Sequence, residues 1–142
     1  MEKTEQIVFQ IKAIELLDSS ISAPNKPLSG KKVFRFDISV KHLIYLEKRL
    51  IKVICNVTVL DESKESIFGN IRTGCLYEIQ DMPEYYNEKE KRVDLPEQFI
   101  TSVNSVSIST TRGVMFTFFR GTFLHNAILP VIDPKGFISK NQ

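Results

Sequence analysis

The chain lacks tryptophan and has only two cysteines, Cys55 and Cys75, among its 142 residues. Two cysteines are too few for a disulfide scaffold, so we expect both to be small buried side chains in a reducing compartment. An excess of charge of one sign is also lacking, because 19 basic residues are balanced by 17 acidic ones, for a net charge of +2. This balance argues against a nucleic-acid-binding protein, which usually has a marked positive excess.

Long apolar runs are absent as well. The apolar stretch that begins at Gly113 is far too short to span a bilayer, and residues 1–6 have no apolar core of the kind found in signal peptides. We therefore expect a cytoplasmic protein without membrane insertion. The remaining composition, 42% hydrophobic and 25% charged, is typical of globular proteins, and the length predicts one domain over residues 1–142.

Alternation of apolar and polar residues predicts strands in the first two thirds of the chain. A first strand begins at Ile7 and ends near Leu17, and residues 18–32 contain serine, proline, asparagine and glycine that predict a crossover loop. The clearest alternation follows over Val33 to Lys41.

Two further strands are predicted from Ile51 to Val59 and from Ile67 to Ile79, joined by the polar turn at residues 61–65. Four antiparallel strands with one apolar face form a stable sheet only when that face is covered. The cover has to come from the last third of the chain.

A long helix is the predicted cover. Residues 81–94 form a charged loop, and proline at position 96 followed by Glu97 is typical of a helix start. Apolar residues recur every three to four positions from there, which predicts one helix of about 36 Å over residues 96–119. The serine, threonine and valine of residues 101–111 favour another hairpin instead, so local propensity and periodicity disagree. In the helical interpretation, the apolar row contains Phe99, Val103, Val106, Thr110, Val114 and Phe118.

Residue patterns for catalysis are missing. His42 and His125 are the only histidines, and neither has cysteines or carboxylates at a spacing suited to a metal site. The sequence contains no glycine-rich phosphate loop, nucleophile elbow or dinucleotide-binding fingerprint. We therefore expect no catalytic residues, no metal, no cofactor and no enzymatic activity.

Phenylalanine is concentrated near the C-terminal end. The segment from Val114 to Phe119 is apolar nearly all round, whereas a surface helix should be apolar on one side only. A helix buried on both sides implies a second subunit; the alternative is that these residues fill one crowded core. An exposed apolar excess would also mark an interaction site. The late phenylalanines are Phe99, Phe116, Phe118, Phe119, Phe123 and Phe137.

Two separated blocks of residues resemble the SecB family of protein-export chaperones. The motif Phe9-Gln10-Ile11-x-x-Ile14 is followed by Ala23-Pro24-Asn25, and Arg120-Gly121-Thr122-Phe123 is followed by Pro130-Val131. The resemblance extends over residues 6–134. It implies an α+β fold in which a four-stranded antiparallel sheet is covered by one long C-terminal helix. Edge strands would pair into dimers, and the helices would join two dimers into a homotetramer.

The resemblance also implies a function. Members of the family hold non-native polypeptides in apolar surface grooves without ATP, so the expected partners are unfolded polypeptide clients and a second copy of the chain. Holding an unfolded chain is a binding equilibrium and needs no nucleotide. The client-binding residues that the resemblance implies are Leu28, Phe34, Phe36, Phe116, Phe119, Phe123, Leu124, Ile128 and Leu129.

Two departures from the family pattern keep other interpretations open. Docking to the SecA export motor uses acidic residues on the sheet, and here Asp18 matches one such position whereas Ser22 and Asn70 replace others. The second helix that borders the family's groove is reduced to Asp133-Pro134 and a short segment, with room for two turns at most. The alternatives are a chaperone dedicated to a toxin–antitoxin pair, an interaction module without client binding, and a small-molecule enzyme.

Overall fold

The computed structural model describes residues 7–23 and 33–137. The described chain contains four long strands, one long helix and a few short elements. The long elements are β1 (Phe9–Ile21), β2 (Arg35–Tyr45), β3 (Leu50–Leu60), β4 (Ile67–Ile79) and α1 (Glu97–Phe118). The short elements are two 3-10 turns (Met82–Tyr85 and Pro134–Phe137) and a small strand pair, β5 (Tyr86–Asn87) and β6 (Arg92–Val93).

The four long strands form one antiparallel sheet in the order β1-β4-β3-β2. The central strands β3 and β4 are largely buried, whereas β1 and β2 form the two edges. Helix α1 packs across the face that carries Val53, Cys55, Ile71 and Cys75. The prediction of a four-stranded antiparallel sheet covered by one long helix is confirmed, and β4 has the predicted bounds.

Edge strand β1 is longer than predicted. The sequence places the start of a loop at Asp18, but pairing with β4 continues through Ser19, opposite Ile71, to Ile21, opposite Gly69. Two register shifts, between residues 11 and 13 and between residues 16 and 18, bend the strand. The prediction is wrong here because polar residues are tolerated in an edge strand whose side chains are largely solvent-exposed.

Helix α1 matches the predicted range within one residue at each end. The alternative of a hairpin over residues 101–111 is wrong, although the hydroxyl-rich sequence favoured it. Hydroxyl groups inside the helix donate hydrogen bonds to the carbonyl four residues earlier, from Ser102 to Gln98 at 2.9 Å and from Thr110 to Val106 at 2.8 Å. Burial of the apolar residues on the sheet side outweighs the weak local propensity.

The buried face of α1 differs from the predicted apolar row. Val106 is 41% exposed, so its predicted place on the core side is wrong. The buried face is apolar at its ends but polar in its middle, where Asn104, Ser107 and Thr111 are fully buried. These side chains follow the three- and four-residue spacing of the helix, and the sheet supplies a hydrogen-bond partner to each, although the Asn104 Nδ2 group has none among the described residues.

Two apolar clusters lie between the sheet and the helix. The first lies under the N-terminal half of α1 and is completed by Met82 and Val93, which anchor the charged loop of residues 81–94. The second lies under the C-terminal half and includes Ile71, Phe119 and Leu124. The segment that follows the helix therefore belongs to the core as much as the sheet does.

Gly69 marks the closest approach between the sheet and the segment after the helix. A Cβ atom at this position would lie 2.8 Å from Leu124 Cδ1 and 3.2 Å from Phe119 Cζ. We expect Gly69→Ala to lower the free energy of unfolding by about 1–3 kcal/mol, because the packed core has no room for a methyl group.

Urea denaturation of the two alanine variants of this strand measures the effect. Gly74→Ala is the matched control, since its Cβ would meet only the flexible Lys52 side chain at 2.8 Å and Leu17 Cδ1 at 3.2 Å. Equal losses in the two variants would show that strand propensity, and not contact with Leu124, decides the outcome.

Candidate functional site

The segment after the helix, residues 119–133, begins with turns and then folds back along α1. Gly121 has a φ of 80°, which glycine adopts without strain, and Thr122 Oγ1 donates to the Phe119 carbonyl at 2.7 Å. The backbone N–H of Leu124 in turn donates to Thr122 Oγ1 at 3.1 Å. These bonds end the helix and direct the chain back over the core.

Arg112 fixes the far end of this segment to the helix. Its Nε donates to the Leu129 carbonyl at 2.7 Å, and one of its terminal nitrogens donates to the Pro130 carbonyl at 2.9 Å. A guanidinium group with two backbone acceptors is a rigid connection. Helix α1 and residues 119–133 therefore present one continuous surface.

Three of the predicted client-binding residues are part of the core. Phe119, Leu124 and Leu129 are at most 1% exposed and pack in the cluster under the C-terminal half of α1. Their side chains do not lie on the surface of the single chain; they position the segment that carries the exposed residues. Leu28, also predicted, lies outside the described residues.

Two other predicted residues are exposed on the same side of the helix end. Phe116 is 57% exposed and Ile128 is 54% exposed, and both line one cavity of about 580 Å³. Arg120 and His125 add a cationic group and an imidazole to the lining, and Thr122 and Asn126 add polar groups. We call this feature the helix-end cavity.

The remaining predicted residues, Phe34, Phe36 and Phe123, are half-buried against the second core cluster. The ring of Phe68 joins two of them, because it lies edge-on to Phe34 at a centroid distance of 6.2 Å and to Phe123 at 5.6 Å. Edge-to-face aromatic contacts of this kind stabilise a fixed arrangement. Sequence reasoning missed Phe68, which links strand β2 to the segment after the helix.

A second apolar groove lies between edge strand β1 and the C-terminal half of α1. Its volume is about 450 Å³, and its walls are almost entirely apolar. Gly113 contributes to its width, since no atom lies within 4 Å of the position that a Cβ would take. Sequence patterns did not predict this groove, because its lining comes from distant parts of the chain. The lining residues are Ile14, Leu16, Thr110, Gly113, Val114, Thr117 and Phe118.

The buried polar side chains of the helix are joined to the sheet by hydrogen bonds. Thr111 Oγ1 donates to the Ser107 carbonyl at 2.7 Å and lies 2.8 Å from Thr73 Oγ1. Tyr77 Oη lies 2.7 Å from Ser107 Oγ, and burial raises the pKa of this phenol well above its usual range. A phenol that is buried and hydrogen-bonded at this interface helps to fix the helix on the sheet.

His42 on strand β2 faces the same interface. The Asn104 amide oxygen is only an acceptor, so His42 Nε2–H donates the 2.6 Å bond between them. Burial lowers the pKa of His42, and the bond to Asn104 partly offsets this effect. Among the described residues, no group of three or more histidine, cysteine or acidic side chains converges as a metal site would require.

The lowered pKa of His42 predicts a loss of stability in mild acid. The unfolded chain binds a proton at His42 near its ordinary pKa of 6.5, whereas the folded chain binds it only at lower pH. The unfolded state therefore holds more protons in this range, and the free energy of unfolding falls as the pH drops below 6.5.

Urea denaturation at about pH 7.5 and about pH 5.5 measures this effect, and the His42→Gln variant is the control. We expect a steeper loss of stability in the original chain than in the variant. The same loss in both proteins would assign the pH dependence to other groups.

Asp18, the predicted docking residue for the export motor, is exposed on edge strand β1. Its cross-strand neighbour is Arg72, and its Oδ1 accepts the backbone N–H of Ser19 at 2.9 Å. Asn70 lies nearby on β4, where it donates to Thr58 Oγ1 at 3.0 Å. The surface around Asp18 therefore presents a carboxylate beside a cation, and not a cluster of acids.

No protein-family model matches this chain, and no curated protein sequence matches it. The fold does match solved structures. One is the Rv1957 SecB-like chaperone of Mycobacterium tuberculosis in complex with a ChAD peptide from the Rv1956 HigA1 antitoxin, with a TM-score of 0.63. The identity is 12%, and the match covers 87% of this chain and 89% of that one. A protein of unknown function from Streptococcus agalactiae matches with a TM-score of 0.36 and 6% identity over 81% of this chain and 90% of that one, which is too low to support an argument.

The chain therefore has the fold of a SecB-like chaperone. At 12% identity this likeness concerns the fold and not the residues of a site. The structural neighbour is a chaperone that was solved with a bound peptide. Within the described residues, no helix of this chain is long and apolar enough to cross a membrane.

Proposed function

We propose that this chain is a chaperone that binds non-native polypeptides on exposed apolar surface and holds them without a nucleotide. The observation that carries the proposal is the exposure of Phe116 and Ile128 in one cavity, on a fold shared with a SecB-like chaperone. Exposed contiguous apolar surface usually marks an interaction site. As a single domain in the cytoplasm, such a protein would meet nascent and unfolded chains.

The client surface that we propose has two parts. The helix-end cavity supplies exposed apolar side chains, and the half-buried rings of Phe34, Phe36 and Phe123 extend the apolar area. Binding that tolerates many sequences favours broad apolar area over precisely placed polar groups. The buried Phe119, Leu124 and Leu129 support this surface from beneath.

Assembly of several copies is part of the proposal. Edge strand β1 exposes apolar side chains along its length, including Ile11, Ile14 and Leu16, next to the apolar groove on α1. An uncovered edge strand with apolar side chains favours pairing with another chain. We propose that a second copy covers this groove, and that two such dimers join into a homotetramer.

A chaperone dedicated to one antitoxin is the second candidate. It is favoured by the peptide bound to the structural neighbour, which comes from an antitoxin. Docking to the SecA motor has less support, because Asp18 lies beside Arg72 and Asn70 replaces an expected acid. A general export role and a dedicated role therefore differ in their clients and not in the surface that binds them.

Light scattering together with an aggregation assay tests the proposal. We expect an assembly larger than the 16.3 kDa chain, and a marked delay in the aggregation of an unfolded reference protein without added nucleotide. A monomer that leaves aggregation unchanged would contradict the proposal. An assembled protein that ignores unfolded chains would support an interaction module without client binding.

A further inference from the structure

The helix-end cavity combines an apolar floor with positive charge. Phe116 and Ile128 supply the apolar lining, Arg120 supplies the positive charge and His125 adds an imidazole, and none of the described residues that line the cavity is a carboxylate. A cavity of about 580 Å³ has room for a bulky side chain and its neighbours. Its chemistry therefore differs from that of the groove along β1, which is almost purely apolar.

Arg120, in the segment after the helix, is available to a ligand, in contrast to Arg112 within the helix. In Arg112, Nε donates to the Leu129 carbonyl and Nη2 donates to the Pro130 carbonyl, so the guanidinium is already engaged. Arg120 forms no ion pair with any described residue, although three other cations, Lys12, Lys52 and Arg92, do so. An unpaired guanidinium next to an apolar surface matches a carboxylate in shape and charge.

The histidine ring is held in place at the rim of the cavity. His125 lies beside Thr122, whose backbone carbonyl is only an acceptor, so His125 Nδ1–H donates the 2.9 Å bond between them. This bond fixes the orientation of the imidazole ring in the lining of the cavity. The Asn126 side chain adds a neutral amide to the same lining.

We propose that the helix-end cavity selects client segments in which a bulky apolar residue stands next to an aspartate or glutamate. The apolar side chain would lie on Phe116 and Ile128, and the carboxylate would pair with Arg120. Charge complementarity supports this occupant, since Arg120 is a cation and no acid is among the described residues of the lining. The inference rests on the proposed chaperone function and specifies which clients are preferred.

Two short labelled peptides test the preference. They share one aromatic residue and differ only in its neighbour, which is glutamate in one peptide and lysine in the other. Fluorescence anisotropy at low salt measures both affinities for the full chain. We expect the glutamate peptide to bind about three- to tenfold more tightly, as exposed charge pairs allow, and the difference to shrink at high salt.

Charge-reversal variants identify the residue responsible. Arg120→Glu is expected to reverse the preference, whereas Lys41→Glu changes the net charge equally on the exposed outer face of β2 and should leave it intact. Equal binding of both peptides, or a preference that survives Arg120→Glu, would overturn this inference and leave the chaperone function standing. Binding of neither peptide would overturn both.

Discussion

Replacing Phe119 by alanine is expected to lower the free energy of unfolding by about 3–5 kcal/mol, because its ring is almost fully buried under the helix end. The same change at Phe116, three residues earlier, should cost less than about 1 kcal/mol, since more than half of that side chain is already in solvent. Urea denaturation followed by circular dichroism measures both values.

The comparison separates residues that build the fold from residues that are free to bind. Both changes remove the same atoms, and the difference mainly reports the environment of each ring, because helix propensity at Phe116 accounts for less than about 1 kcal/mol. Similar losses for the two variants would mean that Phe116 is also packed, as it would be in an obligate oligomer that covers the helix-end cavity. In that case the proposed client surface would be an interface between copies.

The double variant Phe116→Ser and Ile128→Ser is expected to weaken binding of an unfolded polypeptide by about a hundredfold. Burial of a large apolar side chain contributes about 1.5–3 kcal/mol, and both side chains line the same cavity. The stability of the folded chain should change little, because both side chains are more than half exposed. Titration of a labelled, permanently unfolded protein measures the affinity.

Val131→Ser is the matched control for the loss of apolar surface. Val131 is 95% exposed, lies in the same segment after the helix, and does not line the helix-end cavity. Its replacement should leave binding nearly unchanged. A comparable loss in the control would show that clients bind to scattered apolar surface, and an unchanged affinity in the double variant would place the client elsewhere on the chain.

The alternation of apolar and polar residues predicted the sheet because one face of β3 and β4 is buried against the helix and the apolar face of β2 is half-buried there. Strand β4 has the predicted bounds, and β3 extends by one residue at each end. The alternation does not hold at Phe68. Leu60 lies opposite Ile67 and Val59 lies opposite Gly69, so Phe68 is an extra residue of β4 that has no partner in β3. The extra residue turns the Phe68 ring toward Phe34 and Phe123, and local sequence carries no signal of this shift.

Periodicity predicted the helix but not its buried face. The predicted row followed apolar residues and included Val106, whereas the buried row continues through Ser107 and Thr111. Their burial depends on Tyr77 and Thr73, which lie about thirty residues or more away along the chain and supply hydrogen-bond partners. A pattern within one helix cannot include partners on another element.

The location of the client-binding residues at the end of the helix stays a prediction. The resemblance to the SecB family implied client-binding residues at the end of the helix and in the segment after it, where the exposed Phe116 and Ile128 lie. It did not separate these residues from Phe119, which is buried because it continues the buried row of Thr111 and Met115 at a spacing of four residues. Whether Arg120 forms an ion pair within the chain also depends on the tertiary structure, which a sequence motif does not encode.

Calorimetric titration with one polypeptide in two states tests the central claim most directly. The polypeptide is a small disulfide-bonded protein, used native in one experiment and reduced and alkylated, so that it cannot refold, in the other. Without nucleotide, we expect saturable binding of the unfolded form with a negative heat-capacity change, which is the mark of apolar burial, and no binding of the native form. Equal binding of both forms, or binding of neither, would contradict the account.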